Sequence, residues 1–189
     1  MKISYRNIAI AITVALLVMV FVNGCLIGAL TKAPFHPYRW PNGIVVHHTD
    51  LLCSSLTLRD SHINFRGWKD GGYHYLIRRD GTVEALRPVS EIGSHAGSDN
   101  RRRNFTDIGI ALEDDKTHPV NKAQLNSLVR LIADNCRQYG IVPSVKTITR
   151  HHQQCPGSKV PLDEVISRAK TIIDENRSLL YKDFIADGS

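Results

Sequence analysis

Hydrophobic positions along this 189-residue chain fall into three kinds of run. The first is unbroken: Ile8 to Val22 carries no charge, Asn23 and Gly24 interrupt it, and Cys25 to Leu30 resume it. The second kind is short and β-branched. Gly43 to His47, Tyr73 to Arg78, Thr82 to Leu86, Asp107 to Leu112 and Val145 to Arg150 each read as a strand bounded by polar or glycine-rich residues. Asp80-Gly81 between the second and third of these is a hairpin turn signal. The third kind keeps helical spacing. Leu125, Leu128, Val129, Ile132 and Cys136 recur on one helix face. Asn121 stands as the N-cap and Gln124 three residues on completes a capping box. Tyr139-Gly140 ends that helix. Leu162 to Leu180 places Val165, Ile166, Ala169, Ile172 and Ile173 on one stripe and reads as a final amphipathic helix. Ser54 to Trp68 reads as a further helix entering the turn Lys69-Asp70-Gly71-Gly72, and Gly93 to Thr106 as a polar loop.

Strands alternating with helices predict an α/β fold, a sheet covered by helices. The long run at the start is a separate element. Lys2 and Arg6 precede it and no acidic residue occurs in the first 30 positions, the pattern of a signal or signal-anchor. From Ile8 to Leu30 it covers 23 residues, enough to span a bilayer as a helix. The basic flank predicts that the amino terminus stays in the cytoplasm and the domain is exported. Val22-Asn23-Gly24-Cys25 offers a lipoprotein cleavage box as the alternative, and plain cleavage is a third. Three prolines between residues 31 and 41 predict an extended tether. The expected organisation is a leader over 1–30, a tether over 31–42, one domain over 43–182 and a tail over 183–189.

Charge narrows the partners. The chain carries 24 basic and 18 acidic residues, a net +6. Removing residues 1–30 takes away Lys2 and Arg6 only, leaving 22 − 18 = +4. That mild excess suits an anionic cell-wall polymer. Nucleic acid is excluded as a partner, because no basic run with interleaved aromatics occurs. Arg101-Arg102-Arg103 is the one basic cluster and reads as a solvated loop. A monomer is expected.

Candidate chemistry sits where strands end. The first strand runs into His47-His48 and the last into His151-His152, with Cys155 three residues beyond the second pair. Two imidazoles and a thiolate leave a fourth position open on zinc, the signature of a catalytic site. Zinc binds nitrogen at about 2.0–2.1 Å and sulfur at about 2.3 Å, so the turn before Cys155-Pro156-Gly157 has to fold the thiol back beside an imidazole. Side chains alternate along a strand, so one His of each pair faces the cleft. Of the remaining cysteines, Cys25 belongs to the leader, while Cys53 and Cys136 are either a disulfide or two free thiols.

Several blocks carry a resemblance. They are Ile44 to Thr49 (IVVHHT), Gly72 to Ala85 (GYHYLIRRDGTVEA), Gly93-Ser94-His95-Ala96, Ile108-Gly109-Ile110 and Cys155-Pro156-Gly157, in that order. From about Ile44 to Leu162 the chain resembles the zinc N-acetylmuramoyl-L-alanine amidases, a superfamily that includes phage amidase-type lysozymes and peptidoglycan recognition proteins. The resemblance implies a mixed sheet of five or six strands flanked by helices. It implies Zn2+ held by His47, His151 and Cys155, and Tyr73 as the catalytic tyrosine. The implied reaction is hydrolysis of the amide between N-acetylmuramic acid and the L-alanine of the stem peptide. His95, Asn100 and Asn104 are expected to line the peptidoglycan groove.

The chain also departs from the family. Relatives usually have a longer segment between the second histidine and the cysteine, often with a lysine just before the cysteine. Here only His152, Gln153 and Gln154 intervene. Gln154, Lys159 and His152 are the candidates for the oxyanion partner. The glutamate that some relatives carry after Ile-Gly-Ile is Ala111 here. The expected protein is a membrane-anchored amidase on the extracytoplasmic side of the envelope. A non-catalytic or weakly catalytic peptidoglycan-binding module is the alternative.

Overall fold

The computed structural model describes residues 40–52, 55–64, 67, 71–97, 100–115, 117–156 and 160–187. The predicted leader, Cys53 and Lys159 lie outside these residues. Among the described residues no helix is long and apolar enough to cross a membrane.

Five strands form one mixed sheet, β1 (Gly43–His48), β2 (Tyr75–Ile77), β3 (Val83–Ala85), β4 (Asp107–Leu112) and β5 (Ile148–Arg150), in the order β3-β2-β4-β1-β5. β1 lies parallel to both β4 and β5, and β2 parallel to β4. Only β3 runs antiparallel, joined to β2 by the predicted Asp80-Gly81 hairpin. Among the described residues four helices accompany the sheet: α1 (Ser55–Asn64), α2 (Arg101–Thr106), α3 (Lys122–Tyr139) and α4 (Leu162–Asp187).

The longest apolar runs made the strands buried on both faces. Every residue of β4 and the first five of β1 are buried, as expected for parallel strands covered on each side. Ile44 and Val46 of β1 join Ile108, Ile110 and Leu112 of β4 in the main core with Leu128, Val129 and Ile132 of α3 and Val165, Ile166 and Ala169 of α4. Each large aliphatic side chain buried there contributes about 1.5–3 kcal/mol. The opposite face carries a smaller cluster in which Leu58 of α1 covers Leu76 and Ala111, with Tyr73 and Leu86 packed at its edge.

The capping box forms as predicted: the Asn121 side chain accepts from the Gln124 backbone N–H, and the Gln124 side chain accepts from the Asn121 N–H. Gly140 then closes α3 in the left-handed region at φ 66°, where a side chain would be strained.

Several boundaries differ from the sequence reading. The expected loop ending at Thr106 finishes instead in α2. Its residues lack a buried side chain, so no apolar periodicity marked it. The strand expected from Val145 begins only at Ile148, because Ser144 to Thr147 close a turn through Thr147 N–H to Ser144 O, 3.1 Å, and leave Val145 exposed. The final helix runs on to Asp187, past the expected end at Leu180 and into the expected tail.

Candidate metal centre and active site

Two neighbouring parallel strands bring the first two candidate ligands together. β1 and β5 pair with Val46 opposite Arg150, so the next residue on each is a histidine. The His151 N–H donates to Val46 O at 3.2 Å, and the rings of His47 and His151 lie 4.6 Å apart between centroids. Strand alternation separates His47 from His48. His47 faces away from α3 and α4 and is buried, whereas His48 places Nδ1 3.1 Å from Asp114 Oδ2.

The short His152-Gln153-Gln154 segment folds the thiol back. His152 and Cys155 exchange backbone hydrogen bonds, N–H to O in both directions at 3.1 Å, so Gln153 and Gln154 are the two tip residues of a tight turn. Cys155 Sγ arrives 3.9 Å from His47 Nδ1. One donor atom from each of His47, His151 and Cys155 lies within 4.8 Å of the others. This group is able to hold a metal ion.

Burial tunes both inner donors. It holds the His47 imidazolium well below the usual histidine range, helped by His95 and His151 nearby, so His47 is neutral and able to ligate at neutral pH. Burial also pushes the Cys155 thiol up to about 11, with Asp114 and Asp50 adding to the effect. Cys155 therefore has a proton to lose when it binds a metal.

Tyr73 stands with its ring 5.0 Å from that of His47 and 5.6 Å from that of His62. It borders the metal group and the small core at once. His62 fixes the approach to it, since its Nδ1 accepts from the Gly72 N–H at 3.0 Å.

The expected groove residues separate. His95 is not on the groove surface: it is 5% exposed, behind His47, with Nδ1 3.1 Å from His47 Nε2 and Nε2 3.1 Å from Asp107 O. Two glycines admit its ring, because a Cβ at Gly93 or Gly109 would come within 2.5 Å of it. Asn104 uses its amide oxygen to accept from the Ala96 N–H at 2.7 Å, and it also lines a cavity of about 390 Å³ with Ile92, Gly97, Arg101 and Phe105. A Cβ on Gly97 would lie 4.0 Å from His151 Nε2, so one wall residue of this cavity neighbours His151, while none of the three candidate ligands lines it. Asn100 is exposed before α2 and makes no side-chain cap there.

Gln154 is exposed at the turn tip, where its N–H donates to His152 Nδ1 at 3.3 Å. His152 is exposed as well, its ring 4.6 Å from that of His151. Ala111 pairs with His47 across β1 and β4 and packs against Leu58 and Leu76, so a methyl stands where some relatives carry a carboxylate. Cys136 is a free thiol buried in the core, pushed up to about 12 by burial. A cavity of about 590 Å³ lies between the end of α3 and α4 and is lined by none of the three candidate ligands.

Sequence reasoning missed three supporting residues. His74, fully buried, accepts from the Gly109 N–H through Nδ1 at 2.9 Å and lies 3.0 Å from Glu91 O through Nε2. His62 was read only as part of a helix. Arg103 of the supposed solvated cluster is bound to Asp107 Oδ2 through Nε at 2.7 Å and to Thr149 Oγ1. No spacing rule marks His74 and His62, whose partners are backbone groups, whereas Arg103 has its carboxylate partner at the i,i+4 spacing and a second partner 46 residues away.

The family model described as N-acetylmuramoyl-L-alanine amidase matches residues 37–158. The chain belongs to this amidase family. All three candidate ligands and Tyr73 fall inside the matched span. Among its relatives is the endolysin of Enterobacteria phage T3, 32% identical over 137 residues, covering 67% of this chain and 85% of that protein. The endolysin of Klebsiella phage KP32 is 36% identical over 97 residues, which is 48% of this chain and 59% of that protein. Among solved structures, the amidase LysC from Clostridium intestinale URNW superposes with a TM-score of 0.60 at 34% identity, covering 69% of this chain and 86% of that one.

Proposed function

We propose that this amidase hydrolyses the amide between N-acetylmuramic acid and the L-alanine of the stem peptide in peptidoglycan, with zinc held by His47, His151 and Cys155. The observation that carries the reading is the convergence of those three side chains from β1, the end of β5 and the following turn. The donor set fits zinc. Bond lengths of zinc to nitrogen and sulfur set a tetrahedral N···S separation of about 3.6 Å, and His47 Nδ1 and Cys155 Sγ already stand at 3.9 Å. Three protein donors also match the number that leaves a catalytic zinc open. Zinc bound there supplies Lewis-acid activation of water and of the scissile carbonyl.

The protein's own residues do the rest. His47 and His151 present neutral nitrogen donors from rigid strand ends. Cys155 supplies the negative charge once its proton leaves. Tyr73 borders the same space and donates its hydroxyl hydrogen to the oxyanion that develops as the amide carbon becomes tetrahedral. The cavity beside His151, lined by Asn104, Arg101 and Phe105, receives the part of the muropeptide next to the scissile bond. The run from Ile8 to Leu30 anchors the chain and places the domain on the extracytoplasmic side, a reading supported by its charge-free length and the basic residues before it.

Digestion of purified sacculi with the full-length chain, followed by mass spectrometry, tests the bond. Free stem peptides beginning at L-alanine are the expected product. Muropeptides cut only within the peptide, or only within the glycan, would overturn the assignment.

A further inference from the structure

We infer that His95 is a positioning residue that fixes the tautomer of the ligand His47, directing the His47 Nδ1 lone pair at the metal position. The inference rests on the metal reading of His47, His151 and Cys155, and it gives a role to a residue that touches neither metal nor substrate.

The assignment follows from one backbone carbonyl. Asp107 O can only accept a hydrogen bond, and His95 Nε2 stands 3.1 Å from it, so Nε2 carries the proton of a neutral His95. Its Nδ1 is then an acceptor. His47 Nε2 lies 3.1 Å from that Nδ1 and must donate to it. The proton of His47 is thereby held on Nε2, away from Cys155. Nδ1, the atom 3.9 Å from Cys155 Sγ, is left with its lone pair free. With the proton on Nδ1 instead, the ligand atom would be blocked, and two acceptors would face each other between His47 and His95. Ligating histidines generally gain orientation and basicity from such a partner on the other ring nitrogen.

The surroundings are shaped for this ring. Gly93 and Gly109 approach it so closely that a Cβ on either would fall 2.5 Å from a His95 carbon. Gly109 is itself pinned, its N–H donating to His74 Nδ1 and its O accepting from the His74 N–H, both at 2.9 Å. Asp107, whose carbonyl sets the proton on His95, is held through its side chain by Arg103. His95 is thus clamped between β4 and the loop from Gly93 to Ala96.

Zinc affinity of the full-length chain, measured by competition with a chromophoric chelator, tests the role. His95→Leu should lower affinity about 10–100-fold. His95→Asn, whose Oδ1 takes the place of Nδ1 as an acceptor, should recover most of that loss. His95→Gln, which keeps a polar atom only near the Nε2 end, should not. A residue that merely fills space would give no such order between Asn and Gln. In the zinc-free unaltered chain, long-range proton–nitrogen spectra should show His47 protonated at Nε2. Should His95→Leu fail to fold, the Asn-over-Gln order and the His47 tautomer decide. A His47 protonated at Nδ1, or equal zinc affinity in the Asn and Gln variants, overturns the positioning role alone. An unaltered chain that takes up no zinc overturns the metal reading and this role together.

Discussion

On β1, Ile44 and Val46 point towards α3 and α4, while Val45 and His47 point the other way. On β4, Ile108, Ile110 and Leu112 face the same helices, while Gly109 and Ala111 face the site. The two faces share a backbone and are both buried, yet they are stabilised differently. The helix face is a contiguous aliphatic core whose contribution scales with apolar area and has no direction. The site face combines small residues with His47, His74 and His95, all 5% exposed or less, and its contacts are hydrogen bonds with fixed donors and acceptors. Aliphatic packing tolerates swaps that conserve volume. A buried polar set does not tolerate the loss of one partner, because the other is stranded at a cost of about 1–3 kcal/mol. The fold's stability is therefore concentrated on one side of the sheet and its chemistry on the other.

The largest separation of the two faces should come from Cys155→Ala. It removes one of three donors and leaves the aliphatic core untouched. Zinc retained after dialysis should fall from one per chain to none, and release of stem peptides from sacculi should fall below detection. Thermal unfolding of the zinc-free protein should move little. A variant that still turns over would remove the ligand role of Cys155. The complementary test is Ile110→Ala, which opens a cavity opposite the site. Stability should drop by about 2–5 kcal/mol in denaturant titration, while zinc stoichiometry in the molecules that remain folded stays at one. Loss of zinc without loss of stability would mean that the two faces are not separable.

Tyr73 sits on the seam, next to His47 and at the edge of the cluster of Leu58, Leu76 and Ala111. Tyr73→Phe keeps the ring and deletes only the hydroxyl. Turnover should fall by more than about tenfold, towards the 10²–10³ typical of a lost oxyanion donor, with muropeptide binding preserved. Unchanged turnover would return Tyr73 to packing alone.

How far each face was legible in the sequence follows from the same contrast. The helix face could be read because apolar periodicity is its mechanism: the spacing from Leu125 to Cys136 and the β-branched runs located α3, β1 and β4 closely. The candidate metal group could be read because strand ends, a histidine pair and a cysteine are visible locally, and the family resemblance pointed to the first His of each pair. His95 was misplaced on the groove because its partners, His47 and Asp107 O, lie 48 and 12 residues away and one of them is backbone. Arg103 reads as solvated because it stands in a run of three arginines, although Asp107 lies at the i,i+4 spacing from it. α2 was missed because it buries no side chain, so its pattern matches a polar loop. The assignment of Gln154 as oxyanion partner gains no support from its exposed place at the turn tip.

The finest difference between the faces is electrostatic and shows in protons. The aliphatic core has nothing to titrate at neutral pH, since the one thiol in it, Cys136, is pushed up to about 12. Cys155 on the other side is pushed up to about 11 when no cation is near, so it is protonated there at neutral pH. A metal needs the thiolate, and its capture must expel that proton. His47 contributes none, because burial keeps it neutral well below the usual range. Between about pH 7.5 and 9, above the ordinary imidazole range and below the thiol, at least one proton, the thiol's, should leave per ion bound, with a second where metal-bound water ionises. Zinc affinity should then tighten at least about tenfold, or about 1.4 kcal/mol, for each unit that pH rises, and weaken correspondingly as it falls. Isothermal titration in buffers of different ionisation enthalpy counts the protons directly. Near-zero release across that window would mean that the thiol is already ionised in the metal-free protein, and that Asp114, Asp50 and burial do not control it.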